Sequence, residues 1–325
     1  MGVIFVFVDG LGLAPRQKSN PFYTVETPFL NSLLCGKGLI REAAGKEYED
    51  SILLELDAGL GVRGLPQSAT GQTSLFCGVN APRILGTHLR GFPNNTLREI
   101  LSREGMFLQL KRKDLTGTFA NAYRPFIFRE LQGGISSPVS CSTLITYYGG
   151  LKLRSLEDLQ KGQAVYMDIT HELLQSQGFK VTRISPREAG KRLARLSRGF
   201  DLTLYEYFLS DIAGHKGDYT EVKKIITTLD EFIESLVQEV DLEEDLLIIT
   251  SDHGNLEDIS ENNHTSNPVP ALLVGNERKK LALNLQQQKN ISAVLPSLLK
   301  VLLNESTTFR TGSNDPERPT WRCFP

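Results

Sequence analysis

The chain has 325 residues, of which 40% are hydrophobic and 23% charged. That is ample for a buried core and long for a single one, so two domains are expected. With 36 Lys and Arg against 38 Asp and Glu and a net charge of −2, it lacks the basic footprint that nucleic acid or an anionic membrane requires; the expected partner is a small molecule.

The cysteines, Cys35, Cys77, Cys141 and Cys323, form no CxxC pair and read as reduced thiols rather than a zinc knuckle or a disulfide framework. Residues 1–8, MGVIFVFV, have no basic leader and are too short to span a bilayer, so no export signal is expected and the cytoplasm is the default location. Val3 to Val8 within them predicts a fully buried, parallel-type strand that ends at Asp9, with Gly10, Leu11 and Gly12 turning after it. Asp9 is either a strand-end ligand or the N-cap of a helix. A short helix is expected over 27–34 and a strand over 52–56.

Small residues then surround Ser68 in GLPQSATGQTSLF, ahead of an apolar stretch with helical character. Such a turn can expose a serine oxygen at a helix N-terminus, where backbone N–H groups favour an anion such as a phosphoryl group. A simple capped turn is the alternative. No histidine lies nearby in sequence to serve as its base, so an active Ser68 would depend on a metal for deprotonation.

From residue 92 the texture becomes charge-rich, with the Gly pairs Gly133-Gly134 and Gly149-Gly150 and no acidic strand end. Residues 92–184 are therefore expected to form an inserted, smaller α+β domain, with 1–91 and 185–305 as a discontinuous core and 306–325 as a polar, Pro-containing tail. His171 reads as a surface residue of a helix. His88, close to the proposed hinge, is a candidate for substrate contact.

The core pattern resumes with a helix over 185–197 and an aromatic, β-branched strand over 202–208 that leads into Ser-Asp-Ile-Ala-Gly-His. Asp211 and His215 are four apart, so on a helical turn they face one side, as a chelating pair or as a plain surface pair. A long amphipathic helix is expected over 219–240. The run LLIIT at 246–250 predicts another buried strand, passing directly into Asp252 and His253, and His264 follows in a polar loop closed by Pro268 and Pro270.

Three core strands thus lead into an acidic residue, Asp9, Asp211 or Asp252, and three of the five histidines, His215, His253 and His264, stand beside or just after them. In an open α/β sheet the carboxyl ends of the strands are where ligands bind. Six such side chains and Ser68 suit two divalent ions about 3.5–4 Å apart, a clamp for in-line displacement. Carboxylate and imidazole without thiolate favour Mn²⁺ first, then Zn²⁺, with Mg²⁺ at the oxygen-rich position.

The ordered set DGLG, S-x-x-G, D-x-x-x-H, DHGN and HT-x-x-x-VP resembles the alkaline phosphatase superfamily, in its branch of phosphopentomutase and cofactor-independent phosphoglycerate mutase. The layout is more similar to phosphopentomutase. The resemblance implies an alkaline-phosphatase-like core, a mainly parallel sheet flanked by helices, carrying an inserted cap. It also implies that Asp211, His215 and His264 hold one metal and Asp9, Asp252 and His253 the other, with Ser68 as the phosphorylated nucleophile and a metal ligand. Both mutases have a His where this chain has Gln72. The implied activity is phosphoryl transfer on a small phosphorylated metabolite through a phosphoserine, mutase-like, with a phosphatase or phosphodiesterase on the same site as the alternative. A second anionic group on that metabolite would need cationic partners, for which His88, Arg90, Arg124 and Arg129 are the candidates.

Overall fold

The structure, a computed structural model, describes residues 1–133, 135 and 138–304. The expected tail at 306–325 lies outside the described residues. Among those described, nine strands form two sheets: β1 (Val3–Val8), β2 (Lys46–Glu47), β3 (Ser51–Leu56), β4 (Gly117–Phe119), β5 (Ala122–Tyr123), β6 (Arg154–Ser155), β7 (Leu202–Tyr207), β8 (Leu246–Thr250) and β9 (Val269–Gly275). Seven of them make the main sheet, in the order β2-β3-β9-β8-β1-β7-β4. The block β8-β1-β7-β4 is parallel, and β9, β3 and β2 extend it by antiparallel pairing.

Every residue of β1, β7 and β8 is buried, because helices cover both faces of the sheet. Alternation along β1 assigns the two faces. Val3, Phe5 and Phe7 join a core with Leu75, Phe76, Leu101, Leu144 and Leu295, while Ile4, Val6 and Val8 join one with Tyr205, Leu193, Ile226 and Phe232. Helices Ser68–Cys77, Asn95–Glu104, Cys141–Tyr148 and Val294–Leu302 thus lie on one side, and Pro186–Ser197 and Tyr219–Glu239 on the other. The chain is α/β, with a mainly parallel sheet between helical layers.

Register decides where the chemistry goes. Val8 pairs with Tyr207, and Phe7 with both Glu206 and Thr250, so the parallel strands β7, β1 and β8 finish side by side. Asp9, Asp211 and Asp252, which follow these strands, therefore gather at one edge of the sheet.

The loop after His264 leads at Val269 into β9, a central strand, and its Pro270 lies beyond the last β8 pair, Thr250 with Ala271. At that position the missing N–H breaks no ladder bond to β8. Part of the 92–184 span packs with the main core. β4 pairs with β7 at the edge of the main sheet, and Leu101, Met106, Phe107, Leu110, Leu144 and Ile145 belong to the main core. The charge-rich texture of 97–113 is the outer face of two helices, Asn95–Glu104 and Met106–Lys111, whose apolar stripes point inward. What lies outside this packing is a small cluster of Ala122, Leu159, Ala164, Tyr166, Leu174 and Val181, beside the β5-β6 pair. His171 is not on the surface: it is 2% exposed and caps the Glu172–Ser176 helix with φ of 68°.

Candidate functional site

Ser68 is the first residue of the Ser68–Cys77 helix, and Gln67, not Ser68, occupies the cap position. The serine side chain is thus free of capping duty, and its Oγ lies 3.0 Å from His253 Nε2. The helix can come this close because of Gly71. A Cβ there would stand 2.7 Å from the Asp252 carbonyl oxygen, so any larger residue would push Ser68 away from the strand ends.

His253 Nε2 is also 3.3 Å from Asp9 Oδ1 and 3.4 Å from Asp252 Oδ2. Next to this group stands a second one. Helix Leu209–Lys216 places Asp211 and His215 on one face, with His215 Nε2 3.4 Å from Asp211 Oδ2, and His264 Nε2 is 3.6 Å from Asp211 Oδ1. The His253 and His264 rings stack at 3.7 Å, and His215 lies 5.1 Å from His264. The structure therefore brings all six metal-capable side chains and Ser68 together. Donor atoms of Asp9, Asp252 and His253 lie within 4.8 Å of one another, as do those of Asp211, His253 and His264.

Two observations test whether this set suits cations. The buried oxygens Asp9 Oδ1 and Asp252 Oδ2 have no hydrogen-bond partner, an arrangement that is costly unless a positive charge answers it. Moreover, His264 Nδ1 donates to the Pro66 carbonyl at 2.8 Å and His215 Nδ1 to the Asn262 carbonyl at 2.9 Å. A carbonyl only accepts, so in each neutral ring the proton sits on Nδ1 and the Nε2 lone pair faces the cluster, as metal ligation requires. The residues present fit divalent ions.

A model of the metalloenzyme superfamily matches residues 1–306. The chain belongs to the metalloenzyme superfamily. Among curated relatives, the 2,3-bisphosphoglycerate-independent phosphoglycerate mutase of Yersinia pestis (strain Pestoides F) is 33% identical over 120 residues, 35% of this chain and 22% of its own length. The mutase of the same name from Clostridium botulinum (strain Langeland) is 25% identical over 229 residues, 68% of this chain and 38% of its own. The chain thus spans well under half the length of these relatives. Among solved structures, the PH0037 protein from Pyrococcus horikoshii shares the fold, with a TM-score of 0.56 at 13% identity over 95% of this chain and 98% of that one.

Polar residues around the metalloenzyme's site hold it in place. Glu257, fully buried, accepts from Gly12 N at 3.0 Å, Asn255 N at 2.7 Å, Asn267 Nδ2 at 3.0 Å and the Thr265 hydroxyl. One carboxylate so ties together the loops that carry Asp9, His253 and His264. Gly12 faces it without a side chain, since a Cβ there would overlap the Glu257 carboxyl. Asn255 Nδ2 donates to Asp211 Oδ1 at 2.7 Å, and Gln72 Nε2 donates to Asp9 Oδ2 at 3.2 Å. The amide at position 72 occupies one Asp9 oxygen and leaves the other facing His253. The adjacent pair D-G and the tetrad D-H-G-N were readable in sequence; the reach of Gln72 and Glu257 across the fold was not.

Of the cationic candidates, His88 and Arg90 line a cavity that also touches His215 and His264. Arg124 and Arg129 do not line it. Arg124 donates to Gln177 at 2.9 Å, Arg129 sits in the last turn of the Pro125–Gln132 helix, and both are exposed.

Burial and the neighbouring Asp252 charge raise the Asp9 carboxyl from 3.8 to about 8. For His253 burial works downward, but the charges of Asp252 and Asp9 prevail and lift it from 6.5 to about 10. In the metal-free protein both groups keep protons that the unfolded chain has released. Its stability should therefore fall as pH rises, between about 4 and about 8 for Asp9 and between about 6.5 and about 10 for His253. Melting temperatures in chelator at about pH 6 and about pH 9 check this, and saturating metal should remove most of the slope; a flat chelator profile would contradict the electrostatics. In Gln72→Leu the loss of the amide donor should weaken divalent-metal affinity about ten- to a hundred-fold in calorimetric titration. Unchanged affinity would mean that Asp9 is oriented by something other than Gln72.

Proposed function

We propose that this metalloenzyme transfers phosphoryl groups of a small phosphorylated metabolite through a phosphoserine at Ser68, with Asp9, Ser68, Asp252 and His253 holding one divalent ion and Asp211, His215 and His264 the other. The observation that carries this reading is the position of Ser68 Oγ, 3.0 Å from His253 Nε2 and beside the partnerless oxygens of Asp9 and Asp252. Mn²⁺ suits the mixed carboxylate and imidazole set best, ahead of Zn²⁺ or Mg²⁺. Bound there, such ions would lower the pKa of the serine hydroxyl and offset charge on the phosphoryl oxygens.

The chain's own groups account for the rest. Ser68 Oγ loses its proton and bonds to phosphorus in line as the ester P–O bond breaks, and the departing oxygen takes up a proton. Ser68 opens the Ser68–Cys77 helix, so the positive end of the helix dipole favours the anion so formed. Gln72 and Asn255 keep Asp9 and Asp211 from swinging away while this happens. In the second half the phosphoserine bond breaks and the phosphoryl group passes to another hydroxyl of the substrate, which is the mutase outcome and agrees with the named activity of the curated relatives.

One observation favours a second reading, hydrolysis. Ser68 is only partly buried, and the adjoining loop residues Arg63, Gly64, Leu65, Thr87 and Arg90 are exposed, so water can reach the phosphoserine unless a substrate fills the space. The experiment is intact-mass measurement of metal-loaded protein after incubation with a panel of sugar and glycerate phosphates and bisphosphates, beside Ser68→Ala. The wild type should gain one phosphoryl mass and the variant none. Release of inorganic phosphate without isomerised product would select the hydrolase, and no covalent gain at full metal loading would contradict the phosphoserine.

A further inference from the structure

The cavity beside the cluster has a volume of about 290 Å³, and His215 and His264 form part of its wall. Its other ionisable lining residues are Arg63, His88 and Arg90, and among the described residues no carboxylate lines it. Among the described residues neither Arg63 nor Arg90 has an ion pair or a side-chain hydrogen bond. Elsewhere on this surface arginines find acids: Arg41 pairs with Glu55 at 3.1 Å and Arg187 with Glu234 at 2.7 Å. Two guanidiniums and an imidazole around one small space, without an acid to answer them, make a receptor for an anion.

The loops that carry these cations are fastened to the nucleophile's helix. His88 Nε2 donates to the Val62 carbonyl at 3.3 Å, joining the loop of Arg63 to that of Arg90. Leu89 N donates to Thr70 Oγ1 at 3.2 Å, Thr70 N to the Leu89 carbonyl at 3.3 Å, and His264 binds the Pro66 carbonyl. Thr70 is two residues from Ser68. The loops that carry the cations are thereby tied to the helix that carries Ser68.

We propose that this cavity is the specificity subsite of the enzyme, and that Arg63 and Arg90 bind a second anionic group, a carboxylate or a further phosphate, on a small phosphomonoester. The inference rests on the phosphoryl-transfer reading for the first anionic group only. Its small size, about 290 Å³, favours a compact substrate. Arg63 was not a candidate on sequence grounds, and Arg124 and Arg129 do not line this cavity.

The test is calorimetric binding of two phosphonates to the full, Mn²⁺-loaded chain: methylphosphonate, with one anionic group, and phosphonoacetate, with an added carboxylate. The wild type should prefer phosphonoacetate by about ten-fold or more. The double variant Arg63→Ala/Arg90→Ala should lose that preference, and Arg63→Lys/Arg90→Lys should keep part of it, since the charge remains while the planar fork is lost. Equal binding of both ligands by the wild type, a preference that survives in the alanine variant, or binding of neither ligand would overturn the subsite. Arginine-dependent binding of phosphonoacetate with no detectable binding of methylphosphonate would instead fault the phosphoryl-transfer reading and leave the subsite standing. Methylenediphosphonate in the same titration shows whether a second phosphoryl group competes with the carboxylate for this place.

Discussion

The constraint on which the rest depends is the crowding of like charge at one edge of the sheet. Asp9 and Asp252 are buried with an oxygen each that no donor meets, and Asp211 adds a third carboxylate close by. Without a cation such a group is tolerable only if it holds protons, which is the direction in which burial drives Asp9 and Asp252. Divalent ions remove the need for those protons. Bound cations would offset the cost of this arrangement and so couple the protein's stability to metal.

Holding repelling groups in register demands a stiff frame. Parallel pairing of β1 with β7 and β8 supplies it on one axis, since the strand ends cannot slip without turning Phe5, Phe7 and their neighbours out of the core. Phe76, at 5.2 Å and nearly perpendicular to Phe7, locks the Ser68–Cys77 helix onto β1. Across the loops the frame is polar. Glu257 gathers three segments, and Ser210 Oγ donates to the Asp9 carbonyl at 2.6 Å, tying the β7 exit to the β1 exit. Removal of any of these would leave the ligands present but imprecisely placed, and a shift of about 1 Å is enough to lose much of a catalytic advantage.

Much of this was legible in the amino-acid order. β1, β7 and β8 announce themselves because strands buried on both faces must be apolar along their length, and Asp9, Asp211 and Asp252 with their histidines follow close behind. Ser68 was visible as a serine among small residues, although only the structure separates it from the capping role that Gln67 takes. The illegible parts share one cause: they depend on contacts between distant segments. Nothing local to Glu257 or Gln72 tells that the one will bridge three loops or that the other will reach Asp9. β9 was hidden by Pro268 just before it and Pro270 within it, and β4 is three residues long, too short for a periodic signal. Arg63 and Arg124 look alike in sequence, and it is the tether from His88 to Val62 that puts the first beside the site.

Occupancy of these acidic strand ends by two cations can be seen in anomalous X-ray diffraction from crystals of Mn²⁺-loaded protein at the manganese edge. Two peaks are expected, one within about 2.0–2.4 Å of ligand atoms of Asp9, Ser68, Asp252 and His253, the other equally close to Asp211, His215 and His264. No peak at full Mn²⁺ loading, or peaks only elsewhere on the chain, would contradict it.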